Sequence, residues 1–463
     1  MWWHVFGCIQ VTTLPTDPSD PQPPPAGVHT GDTGPTSTTP TSSSVGALQF
    51  TGRPPSRLLM ISLDTTRRDH IGHFSGSGLT PNLDAVMAEA VVMADHRSCS
   101  NWTGPSMTCV TSGRTPMENG FWPWTSDPEV RGYPEPGYGL DTLPGRFTAE
   151  GWATTLVTAN GVFSLDLYTS AGFQKEVRVD WQPAPQVTDA AMEALDELQA
   201  AGRPWYLHVH YIDPHGTYCA PEELIAQESA GLPDVGLSRS EWCDDSYGAP
   251  DAVYWSGDAE ERAVLVAWLE AQYRAELRYW DTEFGRLWGE LERRGALEDT
   301  LVGFVTDHGQ QFYERGGHGH GLYLGAEENR STAWFWARNL APATVQQTTF
   351  HPDVPATLYP LFGVRPTIPQ TGHPVGDAPR DRAIHAINAW DPYSIQLLVA
   401  RDDFELVYDW SSGGRAFHRL DRDPTGLTDS YAPRDPDVEA MEEELETWID
   451  TVRTEWPHLP PPG

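Results

Sequence analysis

The segment RLLMISLDTTRRDH, residues 57–70, decides the fold class. Residues 58–63 form a short run dominated by apolar side chains, which reads as a buried strand that delivers Asp64 at its C-terminal end. Thr80 then supplies a helix N-cap and Pro81 the first helical position. Leu83, Val86, Met87 and Ala90 fall on one face of that helix. The pattern recurs twice. Residues 206–212 read as a strand ending in Asp213-Pro214-His215. Residues 301–306 read as another, ending in Asp307-His308-Gly309, after a long helix over roughly 260–294 that carries an apolar stripe and closes at Gly295. Short buried strands alternating with amphipathic helices predict an α/β fold built on a sheet.

In open α/β sheets, ligands bind beyond the carboxyl ends of the strands. Three strands here end in an acid, two of them with a histidine close behind, and carboxylates gathered in one place repel one another unless a cation neutralises them. Asp and His together suit a divalent ion such as Zn, Mn, Mg or Ca. A single strand-end Asp is more commonly a turn former or a helix cap; three in one chain point to a shared site. Thr103 precedes a short helix with Pro105 in its first turn and Ser112-Gly113 at its end. The spacing puts the Thr103 hydroxyl at or near the helix N-terminus, where free N–H groups stabilise an anion. An ordinary threonine N-cap is the alternative.

Composition removes other function classes. The chain has 463 residues, 39% hydrophobic, so a sizeable core is available. Lys+Arg is 30 against Asp+Glu 65, a net charge of −35, which argues against nucleic acid and against polybasic docking to a membrane. Lys175 is the only lysine, so a lysine nucleophile or a lysine anion clamp is almost excluded. No run of about 18 apolar residues predicts a spanning helix. Residues 12–56 are rich in Pro, Thr, Ser and Gly and read as a disordered tether. Val5-Phe6-Gly7-Cys8 resembles the lipobox of bacterial lipoproteins, so residues 1–11 are expected to be a signal remnant. The protein is then periplasmic or on the cell surface through a lipid on Cys8 or an upstream signal. Four cysteines remain, and Cys219 with Cys243 is the expected bridge; four free thiols is the other reading.

Beyond residue 57 the chain resembles the sulfatase family of the alkaline phosphatase superfamily. Ser62 through His70, Thr80 through Asp84, Thr103 through Arg114, His210 through His215, Glu276 through Gly309, His318 through Gly321 and Pro352 through Leu358 match its motifs in order. The resemblance implies a three-layer α/β sandwich with a mostly parallel central sheet over 57–365. It also implies a small C-terminal antiparallel sheet with a helix within 366–463. Two departures stand out. Family members carry Cys or Ser, oxidised to formylglycine, in a Cys-x-Pro-x-Arg pattern; here Thr103 and Met107 take the nucleophile and arginine positions, so no formylglycine is expected. The usual paired aspartates are replaced by Asp64-Thr65.

The resemblance implies one divalent metal ion held by Asp64, Thr103, Asp307 and His308. Thr103 is the expected nucleophile, with His215 and His320 acting on the transferred group or the leaving oxygen. His318 is the spare for His320, Arg67 is expected to orient Asp64, Asp213 is a ligand or a turn residue, and His208 and His210 read as core histidines. The expected activity is hydrolysis or transfer of phosphate or sulfate esters, phosphoesters preferred, on small molecules, glycans or lipid head groups. A pseudoenzyme that keeps the fold but only binds a ligand, and a structural surface lipoprotein, are the alternatives.

Overall fold

A computed structural model describes residues 10–13, 42–120, 141–164, 169–244, 248–389 and 395–455. Cys8 and residues 14–41 of the expected tether lie outside the described residues. A nine-stranded sheet runs in the order Gln10–Thr13, Lys175–Arg178, Ala153–Thr158, Trp205–Tyr211, Arg57–Leu63, Thr300–Thr306, Ala333–Trp336, Val91–Met93, Ala343–Val345. Arg57–Leu63 lies at the centre, parallel to both neighbours, with Leu63 in register with Tyr211 on one side and Thr306 on the other. This register sets the site, because Asp64 and Asp307 leave the sheet at the same level, next to each other.

The central strand is buried on both faces, and its alternation divides the core into two layers. Leu59, Ile61 and Leu63 pack with the helices Pro81–Met87, Ala184–Ala200 and Ala259–Arg293. Leu58 and Met60 pack on the other face with Thr103–Ser112, Leu143–Ala149 and Asp353–Leu361. The 35-residue helix Ala259–Arg293 starts from a capping box, with the Asp258 side chain accepting from the Glu260 and Glu261 amides. Its stripe Leu265, Leu269, Tyr273, Leu277, Trp280, Phe284, Leu287, Leu291 repeats every three to four residues and is buried. Gly295 ends it in the left-handed region. Asp281 on this helix accepts from the Asn82 and Leu83 amides at 3.1 and 2.9 Å, so one helix caps the other.

The folded part begins earlier than residue 57. Ser42–Val45 and Leu48–Thr51 form a hairpin whose Leu48 and Phe50 are buried in the second core layer. Its apolar content is small, so composition reads it as tether; two buried side chains and the backbone bonds Ala47 N to Val375 O and Thr51 N to Asn339 O suffice to dock it. At its turn Gly46 has φ +52°, and a Cβ there would stand 2.2 Å from the Val375 carbonyl oxygen.

Four antiparallel strands, Ile384–Ala389, Ile395–Arg401, Phe404–Asp409 and Arg415–Arg419, form the C-terminal sheet. The helix Pro436–Glu455 covers one face through Val438, Met441, Leu445 and Ile449. The other face meets the larger α/β unit: Arg97 is fully buried between Asp95 and Glu405. Both expected folding units are thus physically joined by a buried ion pair, whose separation would leave an uncompensated charge. Cys219 is bonded to Cys243, and Cys99 to Cys109. The second bridge was not anticipated, and it encloses Thr103. No helix among the described residues is long and apolar enough to cross a membrane.

Candidate active site

Thr103 is the first residue of the helix Thr103–Ser112; the N-cap is Trp102. The Thr103 hydroxyl is therefore not spent on capping. It lies 3.3 Å from Asp64 Oδ2 and 3.5 Å from His308 Nε2. Asp307 continues the adjacent strand, with its N–H donating to the Leu63 carbonyl, and its Oδ1 accepts from the Thr65 and His308 amides at 3.0 and 2.7 Å. His308 Nε2 is 3.4 Å from Asp307 Oδ2 and 3.8 Å from Asp64 Oδ1. Its Nδ1–H donates to the Gly309 carbonyl at 2.9 Å, which leaves Nε2 as the lone pair facing the acids. The structure thus brings Asp64, Thr103, Asp307 and His308 together.

The acids are unbalanced as they stand. Asp64 and Asp307 are fully buried. Burial, then the Asp64 charge, raises the Asp307 carboxyl well above its ordinary value. At Asp64 burial acts in the same direction, but His210, His215 and His308 outweigh it where their rings are protonated and hold that carboxyl below its ordinary value. Burial lowers His308 to about 4, so its ring is neutral at physiological pH. Asp64 Oδ1, Asp307 Oδ2 and His210 Nε2 are buried polar atoms with no hydrogen-bond partner. Ligand atoms of Asp64, His210 and Asp307 all lie within 4.8 Å of one another. Orphaned carboxylate oxygens beside orphaned imidazole nitrogen form the donor set that a divalent cation satisfies.

Two residues depart from their sequence assignments, and Asp213 takes the turn alternative rather than the ligand one. His210 belongs to this cluster rather than to the apolar core, its Nε2 3.4 Å from Asp64 Oδ2. Asp213 stays apart, buried beside Glu276, where burial pushes it up to about 6. Arg67 does not orient Asp64; it pairs with Asp69 and Glu314 and donates to the Gln310 carbonyl at 3.2 Å. The sequence reading also missed Asn160, two residues beyond the strand Ala153–Thr158. Its Nδ2 donates to Asp64 Oδ2 at 2.6 Å and to Thr103 Oγ1 at 3.2 Å. Strand-end position was the available signal, the same one that marked Asp64 and Asp307.

A cleft of about 400 Å³ opens over Thr103, lined by Trp102, Asn160, Trp181, His215, His318 and His320 among others. The His320 ring lies 4.6 Å from that of His308, tilted by 40°, and 5.0 Å from that of His215, edge to face, centroid to centroid. The Nδ1–H of His320 donates to Gln310 Oε1 at 3.0 Å, and that of His215 to the Gly216 carbonyl at 2.6 Å. Burial, with the neighbouring His308 and His215, keeps His320 well below its ordinary value. His318 lines the same cleft but stacks among Trp242, Phe312 and Tyr313. Met107, one helical turn from Thr103, is buried in the second core layer.

The sulfatase family model matches residues 56–364, about two thirds of the chain. The chain belongs to the sulfatase family. Human iduronate 2-sulfatase is 26% identical over 151 residues, 29% of this chain and 27% of that one. The N-acetylglucosamine-6-O-sulfatase of Bacteroides thetaiotaomicron is 22% identical over 335 residues, 57% of this chain and 59% of that one. The chain thus spans less than two thirds of the length of these curated relatives. In fold it is similar to the phosphonate monoester hydrolase of Agrobacterium radiobacter, with TM-score 0.61, 17% identity, and 87% and 96% of the two chains covered. The sulfatase-type α/β sheet with its C-terminal antiparallel sheet and helix is therefore the fold of this chain, as its sequence motifs led one to expect.

Proposed function

We propose that this sulfatase-family protein hydrolyses phosphate or sulfate esters through a covalent ester on Thr103, with phosphoesters preferred. The observation that carries the reading is the Thr103 hydroxyl, left free of capping, within 3.5 Å of Asp64, Asn160 and His308 at the floor of an open cleft. Asp64, Asp307 and His308, with the Thr103 oxygen at the edge, would hold the divalent ion. Bound there, the ion lowers the hydroxyl pKa and offsets charge on the transferred group.

Asn160 orients Thr103 by donating to its oxygen, so the nucleophilic lone pair is directed away from the amide. Thr103 Oγ1 attacks in line as the alkoxide, its proton having passed to solvent; the new bond to phosphorus or sulfur forms as the bond to the leaving oxygen breaks. That oxygen takes its proton from a histidine at the cleft, His215 or His320. Water then attacks the ester and returns the proton. The phosphoester preference follows from Thr103 having one hydroxyl. A formylglycine hydrate has two and can expel sulfate by re-forming an aldehyde, whereas a sulfo-threonine must wait for attack by water at sulfur.

A second reading, a ligand-binding protein without turnover, is favoured by Met107 at the family's arginine position and by the lack of Lys or Arg among the described residues lining the cleft. Matched aryl phosphodiester, phosphomonoester and sulfate ester substrates separate the two. Turnover that depends on Thr103, fastest on a phosphoester, with a phosphoryl adduct on the Thr103 peptide after acid quench, supports the first; no turnover in any case supports the second. We also propose export and lipidation at Cys8. The two disulfides suit an oxidising compartment, and membrane fractionation with lipid labelling tests it; unacylated protein confined to the cytoplasm would refute it.

A further inference from the structure

Ser62 is a polar residue inside an apolar central strand, fully buried, and the parallel register sets it opposite His210. Its Oγ lies 2.9 Å from His208 Nε2 and 2.8 Å from His210 Nδ1. His208 Nδ1 lies 3.0 Å from the Tyr206 hydroxyl. The four side chains form one unbranched chain of hydrogen bonds leading to the cation cluster. A hydroxyl has one hydrogen, so Ser62 donates to one ring and accepts from the other. If it donates to His210, the remaining His210 proton sits on Nε2, which is 3.4 Å from Asp64 Oδ2 but outside hydrogen-bonding geometry. If it accepts from His210 Nδ1–H and donates to His208 Nε2, each ring is neutral, His208 Nδ1–H donates to Tyr206, and His210 Nε2 is a bare lone pair beside Asp64 and Asp307.

The oxygen donors at the site are few. Asn160 cannot add one, because its Oδ1 already accepts from the Val162 amide at 2.8 Å and it turns Nδ2 towards Asp64. Calcium takes six to eight oxygens and magnesium demands an octahedron of oxygens, whereas imidazole nitrogen suits zinc and its transition-series neighbours.

We propose that the Tyr206–His208–Ser62–His210 chain fixes the ligating tautomer of His210, and that with His308 it gives the site two nitrogen donors that select a zinc- or manganese-type ion over calcium or magnesium. This rests on the reading of Asp64, Asp307 and His308 as cation ligands and extends it. Ser62, His208 and Tyr206 are positioning residues: they act through His210.

The test is direct calorimetric titration of metal-free protein with Zn, Mn, Ca and Mg, separately, with Asp64→Asn to identify binding at this site. Zn or Mn is expected to bind at least ~100-fold more tightly than Ca or Mg. Ser62→Ala is expected to weaken Zn by about 10- to 100-fold while leaving the Ca and Mg constants unchanged, and Ser62→Thr, which keeps the hydroxyl, to restore most of the loss. Should Ser62→Ala unfold by circular dichroism, Tyr206→Phe at the far end of the chain reads the same effect with a smaller loss. Equal affinity for all four ions, tightest binding of Ca or Mg, or loss of all four ions to the same degree in the folded variant would overturn the proposal while leaving a cation site intact. No Asp64-dependent binding of any ion would overturn the cation reading as well.

Discussion

Glu328 accepts a hydrogen bond at 2.7 Å from Asn101, two residues before Thr103. The same buried carboxylate accepts from the Gly321 and Tyr323 amides, at 2.8 and 3.2 Å, and from Gln311. One side chain thereby ties the Thr103 segment to the loop that carries His320. Glu328→Gln presents an N–H₂ where two donors now point, so two of the four bonds fail. We expect kcat to fall by about tenfold or more, because small misplacements of reacting groups are costly, with KM and metal affinity little changed. Steady-state kinetics with metal titration checks this; a change in KM alone would contradict it.

Thr103→Ala should reduce ester turnover by on the order of 10³-fold. Thr103→Ser keeps the hydroxyl and should retain activity within about tenfold of the original, and it, like the original protein but unlike Thr103→Ala, should yield the covalent adduct. Equal rates in the original protein and Thr103→Ala would remove Thr103 from the chemistry.

Asn160→Leu removes the donor shared by Asp64 and Thr103 without adding charge. The expected loss is about 10- to 100-fold in kcat, at the lower end of what one preorganised donor contributes. Rapid-quench kinetics should place the loss in formation of the covalent ester rather than in its hydrolysis.

Asp213 and Glu276 share a buried site away from the cation cluster. Burial raises both carboxyls, Asp213 to about 6 and Glu276, next to the Asp213 charge, well above its ordinary value. The unfolded chain releases these protons at ordinary carboxyl pKa values near 4, so the pair favours the folded state below that pH. The contribution then falls as pH rises through about 6 and beyond. Gln at position 276 stays neutral throughout. The melting temperature of the original protein minus that of Glu276→Gln should therefore decline between pH 4 and pH 8. A constant difference across that range would show that Glu276 does not carry the raised carboxyl.

Cys99 and Cys109 close a short loop around Thr103. Reduction, or Cys99→Ala with Cys109→Ala, should cost about 2–4 kcal/mol of stability and lower kcat through loosening of the Thr103 segment. Calorimetry and kinetics under matched reducing and oxidising conditions decide it; unchanged kcat would assign the bridge to stability alone.

Much of this could be read from the chain because the informative residues stand at strand ends. Asp64, Asp307 and His308 follow directly on apolar runs, so their depth at the edge of the sheet was fixed once the strands were recognised. His210 was not legible. A histidine between apolar neighbours looks like a core residue, and the hydroxyl that distinguishes it, Ser62, lies 148 positions away. Glu328 was hidden for the same reason, since its partners come from separate segments at 101, 311 and 321–323. Residues 42–51 read as tether because Leu48 and Phe50 are too few to make a pattern, although they are enough to seat a hairpin on a core built by others.

The C-terminal sheet touches the working loops directly. The Ile387 amide donates to the Cys99 carbonyl and its own carbonyl accepts from Ser100, while Asn388 donates to the Gly321 carbonyl at 2.9 Å. Two neighbouring residues of one late strand therefore hold both the Thr103 segment and the loop of His320. On the ribosome, every residue placed in the chemistry is made before that strand emerges. The nascent chain carries its acids, histidines and threonine without the brace that aligns them, so the proposed site can be assembled only after Ile387 and Asn388 have emerged.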